Sequence, residues 1–118
     1  MPDDPPPILI LVRDLMFSGR ILAEARAAGV PVKVIRDPSA IEKLENTDSK
    51  LMIADLNLPG AIAAAADWRR KISGTVVGFV SHVDSETIAQ AKSSEIDQVL
   101  ARSQFVRVLP DLLKSKTA

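Results

Sequence analysis

The side chains able to do chemistry fall into four short clusters: Arg13 with Asp14, Asp55 with Asn57, Ser81 with His82, and Arg102 with Ser103. Each follows an apolar run, namely Ile8 to Val12, Leu51 to Ala54, Thr75 to Val80 and Gln98 to Ala101. Carboxylates, an amide, hydroxyls, an imidazole and two guanidiniums therefore project from the ends of apolar segments. What is missing narrows the chemistry. The chain has no cysteine, which removes thiolate nucleophiles, thiolate metal sites and disulfides and fits a reducing, cytoplasmic setting. Its one histidine, His82, is too few for a histidine-based zinc site.

Composition narrows the partners. Lysine plus arginine and aspartate plus glutamate each number 15, so no general field draws the 118-residue chain to phosphate backbones or anionic lipid. We expect no nucleic-acid partner. The longest apolar run, Pro5 to Val12, is too short to span a bilayer, and the acidic start is unlike a secretory signal. With 47% hydrophobic residues there is material for one continuous core.

The elements that must position the four clusters alternate. Ile8 to Val12 has the unbroken aliphatic pattern of a strand covered on both faces. Ile21, Leu22, Ala25 and Ala28 then recur at helical spacing, with Gly29 placed to end the helix. Val32 to Ile35 is a second strand, followed by Asp37 as a helix cap, Pro38 at the first helical position, and Ile41 and Leu44 on one face. Leu51 to Ala54 precedes the turn residues Asp55 to Gly60 and a third helix over Ala61 to Ile72, in which Trp68 packs. Thr75 to Val80 is the fourth strand, and Asp84 or Ser85 caps a fourth helix bearing Ile88 and Ala91. Gln98 to Ala101 is the fifth strand. Phe105, Val108, Leu109, Leu112 and Leu113 line a last helix that Pro110 kinks or within which it marks the regular part.

Five strands alternating with five helices imply an α/β domain: a parallel sheet with right-handed crossovers and helices on both faces. We read residues 1–7 as a flexible leader, 8–114 as the domain and 115–118 as a tail. In open sheets of this kind the ligand crevice lies beyond the carboxyl ends of the strands. All four clusters sit there.

At those positions the sequence resembles the receiver domains of two-component response regulators, the CheY-like family, over Ile8 to Leu113. The clearest match is Asp55-Leu56-Asn57-Leu58-Pro59, which is similar to the Asp-x-x-x-Pro stretch around the family's phospho-acceptor aspartate. The resemblance implies a flavodoxin-like three-layer sandwich with a five-stranded parallel sheet of order 2-1-3-4-5. It implies that Asp55 is the acceptor, that Asp14 is the second acidic residue of a magnesium site, and that the Asn57 backbone carbonyl completes that site. Oxygen ligands suit this hard cation. Ser81 matches the hydroxyl residue that meets the phosphoryl group, and His82 beside it is a candidate gate on the pocket.

The sequence departs from the family in three places. Arg13 stands where the first acidic residue should be. The lysine at the end of the fifth strand is missing as such; Arg102 is the nearest cation, in a segment one residue longer than the family's loop. The aromatic switch position is aliphatic, at Val99 or Leu100.

The resemblance with these departures implies a receiver-like signalling or interaction module with weakened or lost phosphorylation. An arginine at position 13 would pair with Asp14 or Asp55 and compete with magnesium, leaving that cofactor weakly bound. The alternative is a working single-domain response regulator, phosphorylated at Asp55 with magnesium. In that case Asp55 is a nucleophile and the domain catalyses its own phosphotransfer. Expected partners are proteins: a sensor kinase, an output protein, or a second copy through the fourth and fifth helices. A nucleotide- or flavin-binding domain ranks last, because no glycine-rich loop follows the first strand and aromatic residues are few.

Overall fold

The computed structural model describes residues 6–44, 48–80 and 85–115. Five strands, β1 (Ile8–Leu11), β2 (Val32–Ile35), β3 (Leu51–Asp55), β4 (Thr75–Val80) and β5 (Gln98–Ala101), form one parallel sheet of order β2-β1-β3-β4-β5. This is the expected 2-1-3-4-5 arrangement. Four α-helices join them: α1 (Leu15–Ala28), α2 (Ala61–Ile72), α3 (Ser85–Ser93) and α4 (Arg102–Ser115).

The central strands are apolar at every position because both faces are covered. Leu9, Leu11, Met52 and Ala54 join the core beneath α2, whereas Ile8, Ile10, Leu51 and Ile53 join the core beneath α1 and α4. On the second face Phe17, Phe79 and Phe105, the chain's three phenylalanines, pack together with centroid separations of 4.9, 5.8 and 4.9 Å. Gly78 on β4 lets Leu56 lie across the sheet, since a β-carbon there would meet the leucine side chain at 2.5 Å.

Local signals explain where the helices begin and end. Gly29 ends α1 at φ 71°, with its amide on the Ala25 and Arg26 carbonyls. Asp37 caps the next segment and Pro38 starts it, as expected, but Pro38–Lys43 is a six-residue 3₁₀ helix and not an α-helix. Only Pro38 and Ile41 are buried there, too narrow a stripe to hold a longer helix on the sheet. The last helix runs through Pro110. Phe105, Leu109 and Leu113 are its buried stripe, while Val108, expected on that face, is 40% exposed.

Candidate functional site

Asp14 and Asp55 leave the same edge of the sheet from adjacent strands, since β1 and β3 pair with Leu11 opposite Ala54. Asp14 is the N-cap of α1. Its Oδ1 accepts from the amides of Met16 at 2.9 Å and Phe17 at 3.2 Å. Its Oδ2 accepts from Nη2 of Arg102 at 3.1 Å. The carboxyl is held below the ordinary carboxylate range, first by the Phe17 amide and then by the Arg102 guanidinium.

Arg102 reaches Asp14 because of how α4 begins. The segment Ala101 to Phe105, read as a lengthened loop, contains no loop: β5 ends at Ala101 and α4 starts at Arg102. The Gln104 side chain accepts from the Ala101 amide at 3.1 Å, the backward half of a capping box. From the first turn of α4 the guanidinium carbon lies 3.9 Å above the centroid of the Phe17 ring, in cation–π geometry. Its Nε is buried without a hydrogen-bond partner. Arg102 is therefore held by a ring below and a carboxylate beside it.

Arg13 does not make the contact expected of it with Asp55 or Asp14. It is exposed, and its Nε donates to the Arg36 carbonyl at 3.3 Å, while Nη1 of Arg36 returns a bond to the Arg13 carbonyl at 3.2 Å. The cause is the cap. Asp14 turns its carboxylate onto the first amides of α1, and the preceding residue is directed toward the end of β2. There the charge of Arg13 helps lower the Asp37 carboxyl, whose main cause is the Ser39 amide.

Asp55, at the end of β3, is partly buried and accepts at Oδ1 from the Asn57 amide at 3.0 Å. The Leu58 amide donates to the Asp55 carbonyl at 3.2 Å, closing the turn that leads through Pro59 into α2. Asn57 is thus on the same turn as Asp55. Ser81 and His82, and the cap residue Asp84, lie outside the described residues. Of the expected aliphatic switch positions, Val99 and Leu100 are both partly buried in β5.

Among the described residues no cluster of three or more acidic or histidine side chains is placed to hold a metal ion. Asp14 is the informative residue for magnesium: one of its oxygens is occupied by two amides and the other by a guanidinium. In this arrangement the cation next to Asp14 is the Arg102 guanidinium. Also among the described residues, no helix is long and apolar enough to cross a membrane.

The residues that sequence reading missed are Phe17, as the platform, and the capping role of Asp14. An aspartate two and three residues before Met16 and Phe17, just ahead of an apolar helical pattern, is a cap signal that could have been read. The approach of Arg102 across 88 positions of chain had no local signal.

No protein-family model matches the chain, and no curated protein matches it. Solved structures do. The fold is similar to a CheY-like response regulator receiver domain from Methanospirillum hungatei JF-1, with a TM-score of 0.76, 13% identity, and 96% of this chain and 97% of that chain covered. It is similar to the Mn(2+)-bound form of response regulator Rcp1, with a TM-score of 0.72, 15% identity, and coverage of 94% and 91%. An orphan response regulator of H. pylori gives 0.72, 16%, and coverage of 95% and 93%. With the strand order, these likenesses establish that the chain has the CheY-like receiver fold of response regulators.

Proposed function

We propose that the chain is a receiver-like signalling module in which an internal arginine, Arg102, stands in for the metal ion and weakens phosphorylation at Asp55. The observation that carries this reading is the bond from Arg102 to Asp14 at 3.1 Å, with the guanidinium seated on Phe17. A fixed cation there competes with magnesium for the carboxylate. Arg102 takes the place of the family's lysine only in charge, since its partner is the helix-capping aspartate. Arg13 contributes by subtraction: it supplies no carboxylate where the first acidic residue would stand.

Signal then passes by contact with another protein. Leu15 and Met16 at the start of α1 are 70% and 88% exposed, directly beside the Asp14–Arg102 pair, and offer an apolar contact for a kinase or output protein. Self-association through α3 and α4 would use the exposed Val108 instead. The cysteine-free chain suits work in the cytoplasm.

A working receiver is the second reading, favoured by the partly accessible Asp55 on an Asp-x-x-x-Pro turn beside Asp14. In it an Asp55 oxygen would bond to phosphorus as the donor's own bond to phosphorus breaks and the rest of the donor leaves, Ser81 would meet the transferred group, His82 would gate access, and Asp14, Asp55 and the Asn57 carbonyl would hold a magnesium ion that offsets the charge. Labelling by a small-molecule phosphodonor with magnesium separates the two. The proposed module gives slow, slight labelling that rises in Arg102→Ala and vanishes in Asp55→Asn. Rapid labelling of the wild type, equal to that of Arg102→Ala, establishes the working receiver.

A further inference from the structure

Phe17 and Arg102 also border an open groove between α1 and α4, which Arg20, Ser103 and Val106 complete. Its volume is about 580 Å³, within the range of about 300–1,000 Å³ usual for small-molecule sites. The surface is mostly apolar, from Phe17 and Val106, with two cations set into it. Arg20 makes no hydrogen bond or ion pair with any described residue, Glu24 one turn further along α1 included. A single exposed arginine of this kind is ordinary, since water satisfies it. Arg20 differs in sharing a concave surface with a second arginine that is held in place. The Arg102 guanidinium is seated on Phe17 and bonded through Nη2 to Asp14. Its Nε is buried, so a molecule in the groove reaches it at the Nη atoms, on a side chain that stays 38% exposed.

We propose that this groove is a binding site for a small organic monoanion, a carboxylate on an apolar body, received by Arg20 and Arg102. Charge sets the first requirement. Asp14 balances Arg102 from beside the groove, and none of the described residues lining it is acidic, so the charge of Arg20 is left to be met. The forked donors of a guanidinium match the two oxygens of a carboxylate. A phosphate dianion would bring a second charge with no cation left to balance it. Shape sets the second requirement. Phe17 and Val106 offer little to a small hydrated anion, whereas an apolar body that displaces water from them is stabilised by that burial. Because the groove is open, such a ligand keeps one side in water and binds with modest affinity. The site shares Arg102 with the proposed function but does not depend on how that residue affects magnesium or Asp55.

Benzoate is the probe, with benzamide as its uncharged counterpart and acetate as the anion without the ring. In spectra of the isotope-labelled protein, benzoate should move the Val106 methyl and Ser103 amide signals along a saturable curve. Benzamide should bind about tenfold more weakly, the equivalent of one charge-assisted hydrogen bond. Acetate should lose at least as much, because it covers little of Phe17 and Val106. Arg20 is exposed, so Arg20→Gln should fold as the wild type does. That variant should weaken benzoate about tenfold while the Met16 and Phe17 amide signals, which report the Asp14 cap, keep their wild-type positions. Linear, unsaturable benzoate shifts overturn the proposal, as does equal affinity for benzamide, for acetate, or for benzoate in Arg20→Gln. None of these results bears on phosphodonor labelling at Asp55, so the two readings fail separately.

Discussion

The guanidinium of Arg102 rests 3.9 Å above the ring of Phe17, and from that seat it reaches the carboxylate that caps the same helix. Ring, cap and cation thus form one unit. Phe17 is buried against Phe79, which lies on the strand neighbouring the Asp55 strand, so the unit is tied to the core. The charge at the strand ends is set by packing as much as by residue type.

Removing that cation should expose the carboxylate. Arg102→Ala is expected to bind magnesium about tenfold more tightly than the wild type, the equivalent of releasing one charge-assisted hydrogen bond. Arg13→Asp should improve binding less, because Arg13 is engaged with Arg36 and does not block Asp14. Calorimetric titration of the two variants checks the order; a larger gain for Arg13→Asp would contradict it.

The platform should matter to stability as well as to charge. Phe17→Ala removes a ring that touches both other phenylalanines and should destabilise the fold by about 3 kcal/mol. Denaturant melts measure this. The same variant should also loosen Arg102, so its magnesium affinity should move toward that of Arg102→Ala.

At the other end of the sheet Asp97 provides a pH test. It accepts two bonds from Arg69, each at 2.9 Å, and one from the Val76 amide at 2.7 Å. Its carboxyl is lowered from the ordinary 3.8, first by Arg69, against the opposing effect of desolvation. A group whose folded pKa lies below its unfolded value adds stability above the unfolded value and loses it as pH falls through the folded one. Asp97→Asn should therefore be less stable by about 1 kcal/mol at neutral pH. The two stability curves should converge below the ordinary carboxylate pKa, in melts recorded from pH 7 to pH 2.

Gly78→Ala tests the close approach above β4. The new methyl would meet three carbons of Leu56 at 2.5 to 2.7 Å, and Leu56 is itself buried. Overpacking of this kind costs about 1–3 kcal/mol. The expected result is a lower melting midpoint, and the double variant Gly78→Ala/Leu56→Ala should recover part of the loss from Gly78→Ala relative to Leu56→Ala alone.

Much of the fold was determined by local sequence. Strands buried on both faces must be apolar throughout, and the first two connecting segments carry their own stop or cap, at Gly29 and at Asp37 with Pro38. The Asp55-to-Pro59 turn was legible for the same reason: its hydrogen bonds join residues two and three apart. What tertiary structure alone decided is which cation meets which carboxylate. Proximity in sequence suggested Arg13, one residue from Asp14, but adjacent side chains diverge and the cap turned Asp14 away. Arg102 arrives instead from the far end of the chain, because α4 starts without a loop beside α1 and Phe17 offers its ring. Contacts between distant segments follow from how helices pack across a sheet, and no local spacing encodes them.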